Sequence, residues 1–361
     1  MGPVSAPVLT EAEHITWLRV DVGLAMSARR EAARLAKRIG LGADRVSAVE
    51  IAVTEAATNL QKHAVDGALA LRVTRSGAHA AVEFVATDTG PGIPHLPSAL
   101  ADGTSSTGTL GVGLGAIARL ADVFDIHTLP GRGTTVMAQF WAGAEARREE
   151  PAGIDAGGLT RPIGGEELCG DTWALRSAHA PGTAPADGGA ASGAGPVLAM
   201  MCDGLGHGPQ AARAGEVARE AFRGTRHTRP QQVLQDLHRA LKGTRGAAIA
   251  VARLDFAAGS VEFSGVGNVS GFLVEDGRRN SLLSVPGIVG HHMPHLRTFT
   301  AAAGPGSAFV THSDGLSDRW SPESFPGLFV RRSTVVSAQI LREAGGRRDD
   351  IGILVVKATR A

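Results

Sequence analysis

The 361-residue sequence has only two cysteines, Cys169 and Cys202. That is too few for a disulfide framework, and no third or fourth ligand at short spacing completes a zinc site. Two buried or half-buried thiols in a reducing compartment are the expectation. Long apolar runs are missing too: no window approaches the roughly 18 uninterrupted residues of a membrane-spanning helix. Met1 to Thr10 lack a basic stretch followed by an apolar one, so no secretory signal is expected and the cytoplasm is the default. Charge of one sign is scarce. The formal net charge is +1, which gives no broad basic surface for nucleic acid. The short Arg pairs, such as Arg147-Arg148, read as solvated surface. No internal repeat is evident.

What is present suits two folded domains. Hydrophobic residues make up 43% and charged residues 20%, enough for buried cores in a chain of this length. Residues 12–142 read as alternating helices and strands. Helices are expected over Ser27 to Ile39 and Ala43 to Ala64, and strands over Leu69 to Thr74 and Ala80 to Thr87. A glycine-rich stretch then leads to a helix at Leu114 to Ala121 and to strands at Phe124 to Thr128 and Thr134 to Trp141. Residues 143–157 have linker composition. From Gly158 onward strands dominate, with helices at Pro209 to Arg223 and Pro230 to Leu241. The Ala-, Gly- and Pro-rich stretch His179 to Pro196 reads as a long hairpin loop.

Three features of the first half carry chemistry. On the second helix, steps of four and eight residues put Glu55, Asn59 and His63 on one stripe, with Lys62 beside it. Polar groups there are costly unless they meet a ligand or partner. An Asn oxygen can bind Mg²⁺, and Glu55 can orient or deprotonate an attacking hydroxyl. An exposed helix face is the bland alternative. Next, Asp88-Thr89-Gly90-Pro91-Gly92-Ile93 follows a strand. Its aspartate can accept from an exocyclic amine such as that of adenine, and an ordinary turn is the alternative. Third, Gly108, Gly111, Gly113 and Gly115 precede and open a helix, where backbone N–H groups suit phosphate. This is neither the dinucleotide pattern nor a P-loop.

Together these features resemble the Bergerat-fold (GHKL) ATPases. The stretch through Gly131-Arg132-Gly133-Thr134-Thr135 looks most like the anti-sigma-factor serine kinases of the RsbT-like branch. The resemblance covers residues 12–142. It implies ATP as cofactor, Mg²⁺ on Asn59, adenine on Asp88 and Thr134, and Gly90, Gly92, Gly108, Gly111, Gly113 and Gly115 around the nucleotide, with Lys62 and His63 alongside. Histidine kinases share the fold but need a phospho-accepting helical hairpin upstream. Only a short segment precedes the domain here, so that reading is set aside.

In the second half the informative residues are acids beside strands. Asp203-Gly204-Leu205-Gly206-His207-Gly208 follows an apolar run, Asp314-Gly315 follows another, and Asp349-Asp350 precedes a third. Carboxylates from distant strand ends can converge, and such a cluster repels itself unless cations bind. Oxygen-only ligation selects Mg²⁺ or Mn²⁺, and two such ions can activate water for in-line attack on phosphorus. With Cys169-Gly170-Asp171, the set resembles the PPM-type metal-dependent protein phosphatases of the SpoIIE and RsbX-like branch, over residues 158–361. The resemblance assigns metal ligation to Asp203, the Gly204 carbonyl, Asp314 and Asp349, and an outer shell to Asp171, His207 and Asp350. His207 is either a proton donor to the leaving group or a structural hydrogen-bonding group. Gly265-Val266-Gly267-Asn268 reads as a structural turn, and no arginine stands out as the phosphate holder.

The expected fold is therefore α+β in two domains, a Bergerat-type α/β sandwich followed by a PPM-type αββα sandwich. The expected function is a bifunctional switch regulator. Its kinase half would phosphorylate a serine or threonine of a STAS-type antagonist in sigma-factor or stress signalling, and its phosphatase half would remove such a phosphate. The alternatives are an ATP-binding module that sequesters a partner with little kinase activity, and a degenerate phosphatase serving as a scaffold. Glu55 weighs against the first, and the intact Asp203, Asp314 and Asp349 against the second.

Overall fold

The computed structural model describes residues 8–101, 113–143, 153–164, 166–178, 195–293, 295–304, 306–346 and 348–359. Gly108, Gly111 and most of the stretch from His179 to Pro196 lie outside the described residues. In chain order the first elements are β1 Val8–Glu11, β2 Thr16–Arg19, α1 Leu24–Arg38, α2 Ala43–His63, β3 Ala68–Ser76, β4 His79–Thr87, α3 Leu96–Leu100, α4 Leu114–Leu120, β5 Val123–Leu129 and β6 Gly133–Trp141. Then come β7 Ile154–Arg161, β8 Asp171–Ser177, β9 Val197–Gly204, α5 Pro209–Gly224, α6 Pro230–Ala240, β10 Ala247–Asp255, β11 Ser260–Val266 and β12 Ser270–Glu275. The last are β13 Arg278–Leu282, β14 Phe299–Ala302, β15 Ala308–His312, α7 Ser333–Ala344 and β16 Ile351–Ala358.

The chain forms two compact units. The first to be described comprises Glu13–Glu150 with Val330–Arg342. Its antiparallel sheet has the order β2-β3-β4-β6-β5. Period-2 alternation sends Leu69, Leu71, Val73, Val82, Phe84, Val136, Ala138 and Phe140 to one face. There they meet the apolar stripes of α1 (Ala28, Ala32, Leu35) and α2 (Val46, Val49, Val53, Leu60), which recur at steps of three and four. Phe84 and Phe140 stack with ring centroids 6.5 Å apart. Asp44 in the first turn of α2 and Lys62 and His63 in its last suit the helix dipole.

The opposite face of this sheet carries a polar row, buried at Arg72 and Glu83 and half-buried at Gln139. Arg72, Glu83 and Gln139 stand directly across from one another on β3, β4 and β6. Arg72 Nε donates to Glu83 Oε1 at 2.7 Å, and Gln139 Nε2 donates to Glu83 Oε2 at 2.7 Å. On the same face Thr135 Oγ1 donates to Gln339 Oε1 of α7 at 2.8 Å. Every residue of α7 from Ser333 to Leu341 is buried, as expected of a helix enclosed all round.

The other unit comprises Met1–Ala12, Pro151–Phe329 and Glu343–Ala361. It is a sandwich of two antiparallel sheets, β1-β8-β9-β10-β11-β14 and β13-β12-β15-β16-β7. Trp173, Met201, Ala250 and Phe263 from the first sheet and Leu273, Phe309, Leu354 and Val356 from the second fill the space between them. Helices α5 and α6 cover the outer face of the first sheet through Ala214, Phe222, Val233 and Leu237. Buried on both faces, β9 reads as an unbroken apolar run from Val197 to Cys202. Proline sits at the first turn of both helices, where its missing N–H costs nothing. Cys202 is buried in this layer, Cys169 is half-buried, and both are free thiols.

This is the two-domain α+β architecture expected from the sequence, with three differences in its pieces. Residues 154–157, read as linker from their composition, begin β7, which pairs with β16 along its whole length. Strand β1, ahead of the first expected helix, joins the sandwich by pairing with β8. Helix α7 is not evident from the sequence, and its residues up to Arg342 group with the five-stranded sheet of the first unit described.

The Arg72–Glu83 pair yields a prediction. Arg72→Met leaves the Glu83 carboxylate buried without its cation, and a broken buried pair costs about 3–5 kcal/mol. Urea unfolding should show that loss. The double change Arg72→Met with Glu83→Leu should regain most of it; a double variant as unstable as the single one contradicts the assignment.

Candidate functional site

Two sites emerge, one in each unit. In the first, the end of α2 meets the turn after β4. Asp88 Oδ1 accepts from Gly90 N at 2.7 Å, and Asp88 N donates to Thr134 O at 3.0 Å. Thr89 N and its hydroxyl both donate to Val65 O, just past α2. A Cβ on Gly90 would fall 2.7 Å from His63 O, so only glycine lets turn and helix approach this closely. Gly92, at φ +71°, would place a Cβ 2.3 Å from Leu129 O. Gly133, at φ +86°, would place one 1.9 Å from Asp88 O. Burial pushes the Asp88 carboxyl above its usual range, against the Gly90 N–H and the Arg342 guanidinium. Arg342 of α7 donates to the Asp88 carbonyl.

The structure thus joins Asp88, Gly90, Gly92 and Thr134 to the helix that carries Glu55, Asn59, Lys62 and His63. Lys62 and His63 are exposed, while Glu55 and Asn59 are half-buried. Burial raises the Glu55 carboxyl above its ordinary value, with Lys62 opposing. Gly113 caps α4, and a Cβ on Gly115 would fall 2.5 Å from Leu100 O. Thr128 went unnoticed in the sequence. Its hydroxyl lies 3.0 Å from that of Thr134 and accepts from Ile93 N at 2.8 Å, tying the late threonine to the Asp-Gly turn.

The second site lies at one rim of the sandwich. Asp171 and Asp203 face each other across β8 and β9. Asp314 follows β15, and Asp349 and Asp350 precede its neighbour β16. Ser313 N donates to Gly352 O at 3.0 Å, and Gly352 N donates to Ser313 Oγ at 2.8 Å, clamping those two strand ends together. Asp203, Asp314 and Asp349 line a cavity of about 320 Å³ with Gly206, His207, Asn268 and Arg348.

The acids feel one another. The Asp203 carboxyl is pushed up to about 7, first by burial and then by Asp314, Asp349 and Asp350. Asp171 is raised well above the carboxylate range by burial and by Asp203, and among the described residues its buried Oδ2 has no hydrogen-bond partner. Asp350 is turned away from the cavity, accepting from Ile163 N at 2.7 Å and Gly170 N at 2.6 Å. Among the described residues no three acidic, His or Cys side chains converge closely enough to grip one ion. The carboxylates ring the cavity instead. Their all-oxygen chemistry, the orphaned Asp171 Oδ2 and the mutual repulsion nevertheless fit a hard divalent cation such as Mg²⁺ or Mn²⁺.

Two sequence readings change in detail. The glycine after Asp203 was expected to let a carbonyl reach metal. In the structure a Cβ on Gly204 would fall 2.5 Å from Ala211 O, so packing of α5 also demands it. Asn268, read as part of a structural turn, donates from Nδ2 to Asp314 Oδ2 on the cavity wall. His207 is exposed, with Nδ1 3.2 Å from Glu166 Oε1.

These constellations define a class: a kinase-like ATPase domain and a metal-dependent phosphatase domain in one chain. Residues 19–140 match the histidine kinase-like ATPase domain, and residues 193–359 match stage II sporulation protein E (SpoIIE). Serine/threonine-protein kinase RsbT of Bacillus subtilis (strain 168) is 31% identical over 116 residues, covering 32% of this chain and 87% of the relative. Phosphoserine phosphatase RsbX of the same organism is 22% identical over 155 residues, covering 42% of this chain and 70% of the relative. A crystal structure of RsbX in complex with magnesium aligns at 20% identity and a TM-score of 0.47, covering 57% of this chain and 96% of that one. The chain belongs to the histidine kinase-like ATPase family in its RsbT branch, and it carries a SpoIIE-type phosphatase domain with RsbX similarity.

The Asn268 contact is testable. Outer-shell partners typically contribute about 10- to 100-fold in metal affinity, so Asn268→Ala should weaken Mn²⁺ binding in calorimetry by at least the lower figure. Unchanged affinity would remove Asn268 from the site.

Proposed function

We propose that the chain is a bifunctional switch regulator acting on a serine or threonine of a STAS-type antagonist protein in cytoplasmic sigma-factor or stress signalling. Residues 12–142 supply the kinase activity and residues 158–361 the phosphatase activity. The observation that carries the reading is the ring of Asp203, Asp314 and Asp349 around one cavity, in a chain whose other half sets an Asn-bearing helix against an Asp-Gly turn. The relatives named for a serine/threonine kinase and a phosphoserine phosphatase support it.

On the phosphatase side Asp203, the Gly204 carbonyl, Asp314 and Asp349 would hold Mg²⁺ or Mn²⁺, with Asp171 behind them. Bound divalent cations would lower the pKa of water and neutralise phosphate charge. Water would add to phosphorus, releasing a proton to solvent, as the bond to the serine oxygen breaks, and that oxygen would take up a proton. His207, oriented by Glu166 on the cavity wall, is placed to deliver it. On the kinase side Glu55 would accept the proton of the substrate hydroxyl, whose oxygen would bond to the γ-phosphorus of ATP as ADP leaves. Burial makes Glu55 a better base than an ordinary carboxylate. Asn59 would hold Mg²⁺ on the phosphates, and Asp88 would accept from the adenine amine.

Two assays test the halves. With Mn²⁺ and a phosphoserine peptide, Asp203→Ala should lower the hydrolysis rate by roughly 10³-fold or more; an unaffected rate contradicts the site. With labelled ATP and a STAS-domain antagonist, wild type should transfer label. Glu55→Gln should lower the rate at least about 10²-fold while nucleotide affinity holds. Absence of transfer by wild type, with ATP still bound, would instead support the partner-sequestering alternative.

A further inference from the structure

Helix α7 is held at both ends by the unit it groups with. Just ahead of it, Arg332 N donates to Asp125 Oδ2 of β5 at 2.6 Å. Near its other end Arg342 donates to the carbonyl of Asp88, and a Cβ on Gly133 would fall 2.5 Å from Arg342 Nη1. The guanidinium is therefore seated between the Asp-Gly turn and the start of β6. A charge-assisted bond to a backbone carbonyl is among the stronger hydrogen bonds, so the last turn of α7 and the turn that carries Asp88 move together.

Between Arg342 and Glu343 the chain passes to the sandwich unit. There it is gripped at once. Ser317 N donates to Ala344 O at 2.9 Å, Gly346 N donates to Gly315 O at 2.9 Å, and Leu316 pairs with Gly345 as an antiparallel bridge. Arg161 Nη2 donates to Gly346 O at 2.7 Å. These bonds fall on the residues that directly follow Asp314, and the chain goes on from Gly346 to Asp349. A Cβ on Gly315 would fall 2.0 Å from Asp350 O, so the two acid-bearing segments abut with no room to slide. Packed backbone has discrete arrangements rather than continuous give. A shift in the last turn of α7 is thus passed to the spacing of Asp314 and Asp349.

We propose, on the nucleotide and metal readings above, that α7 couples the two sites: an adenine nucleotide on the Asp88 turn holds Arg342 in its seat and thereby fixes the Asp314 and Asp349 segments in one arrangement. Two states differ. With Arg342 on the Asp88 carbonyl, Ala344 to Gly346 stay paired with Gly315 to Ser317. With Arg342 released, that pairing opens more often. A nucleotide that orders the turn binds the first state better and shifts the equilibrium toward it. By linkage, a divalent cation held by Asp314 and Asp349 tightens nucleotide binding by the same factor.

Amide hydrogen exchange reads this without turnover. The full chain at constant Mg²⁺ is compared with and without saturating ADP, saturation being set for each protein by calorimetry. In wild type, ADP should slow exchange of the peptides covering Gly315 to Ser317 and Ala344 to Gly346 by about 5- to 150-fold, the usual range of coupling between sites. Arg342→Met should lose that protection with ADP still bound, and Arg342→Lys should regain part of it. Thr135→Val with Gln339→Leu removes another hydrogen bond of α7 and replaces both partners by apolar groups of similar shape; this double variant should keep the protection. ADP bound to wild type without protection, full protection in Arg342→Met, or a loss in the double variant equal to that in Arg342→Met would each overturn the proposal. Failure of the readings beneath it is distinguishable. A wild type that binds no ADP defeats the nucleotide reading and the coupling with it. A chain that shows the coupling yet cleaves no phosphoester defeats the phosphatase reading and spares the inference.

Discussion

Negative charges packed at one rim of a sandwich repel each other, and the local structure of the phosphatase-type unit answers that repulsion. Asp171 and Asp203 are set side by side by the register of β8 and β9, and Asp314 and Asp349 by the neighbouring ends of β15 and β16. Partners absorb part of the strain. Two backbone N–H groups hold Asp350 away from the cavity, Asn268 holds Asp314, and the Ser313–Gly352 exchange locks the strand ends. Burial first, and the neighbouring acids second, raise the carboxyls of Asp203 and Asp171. A fold that accepts this cost at a solvent-facing cavity is organised around binding positive charge there.

The ATPase-type unit solves a different problem, that of bringing backbone close to backbone. Glycine stands where a side chain would strike a carbonyl: Gly90 against His63, Gly92 against Leu129, Gly133 against Asp88, Gly115 against Leu100. These contacts pull the Asp88 turn onto the end of α2 and onto β5 and β6. The sheet below can be rigid because its two faces are held differently, one by apolar interdigitation with α1 and α2, the other by the Arg72–Glu83–Gln139 row.

Much of this was legible in the residues. Helices α1, α2, α5 and α6 and most strands announce themselves by apolar period, and the acids that line the cavity sit in short Asp-Gly or Asp-Asp motifs beside apolar runs. What escaped has physical reasons. Helix α7 is buried on every side from Ser333 to Leu341, so it offers no clear polar face to read. Strand β7 is rich in small residues, and its extended form comes from pairing with β16. The glycines speak of close approach, but the sequence does not say what approaches. Asn268 matters through a neighbour dozens of residues away, Asp314, and nothing in its own short stretch names that neighbour.

The chain crosses between its two units at 12–13, 150–151, 329–330 and 342–343. Neither unit is therefore one uninterrupted stretch of sequence. A fragment stopping at residue 142 would omit the segment that carries Gln339 and Arg342, leaving Thr135 and the Asp88 carbonyl without those donors and acceptors. A fragment starting at residue 158 would forfeit the edge strand at Val8–Glu11 and half of β7. Because each unit draws on sequence from both sides of the other, no single cut in the chain separates them intact.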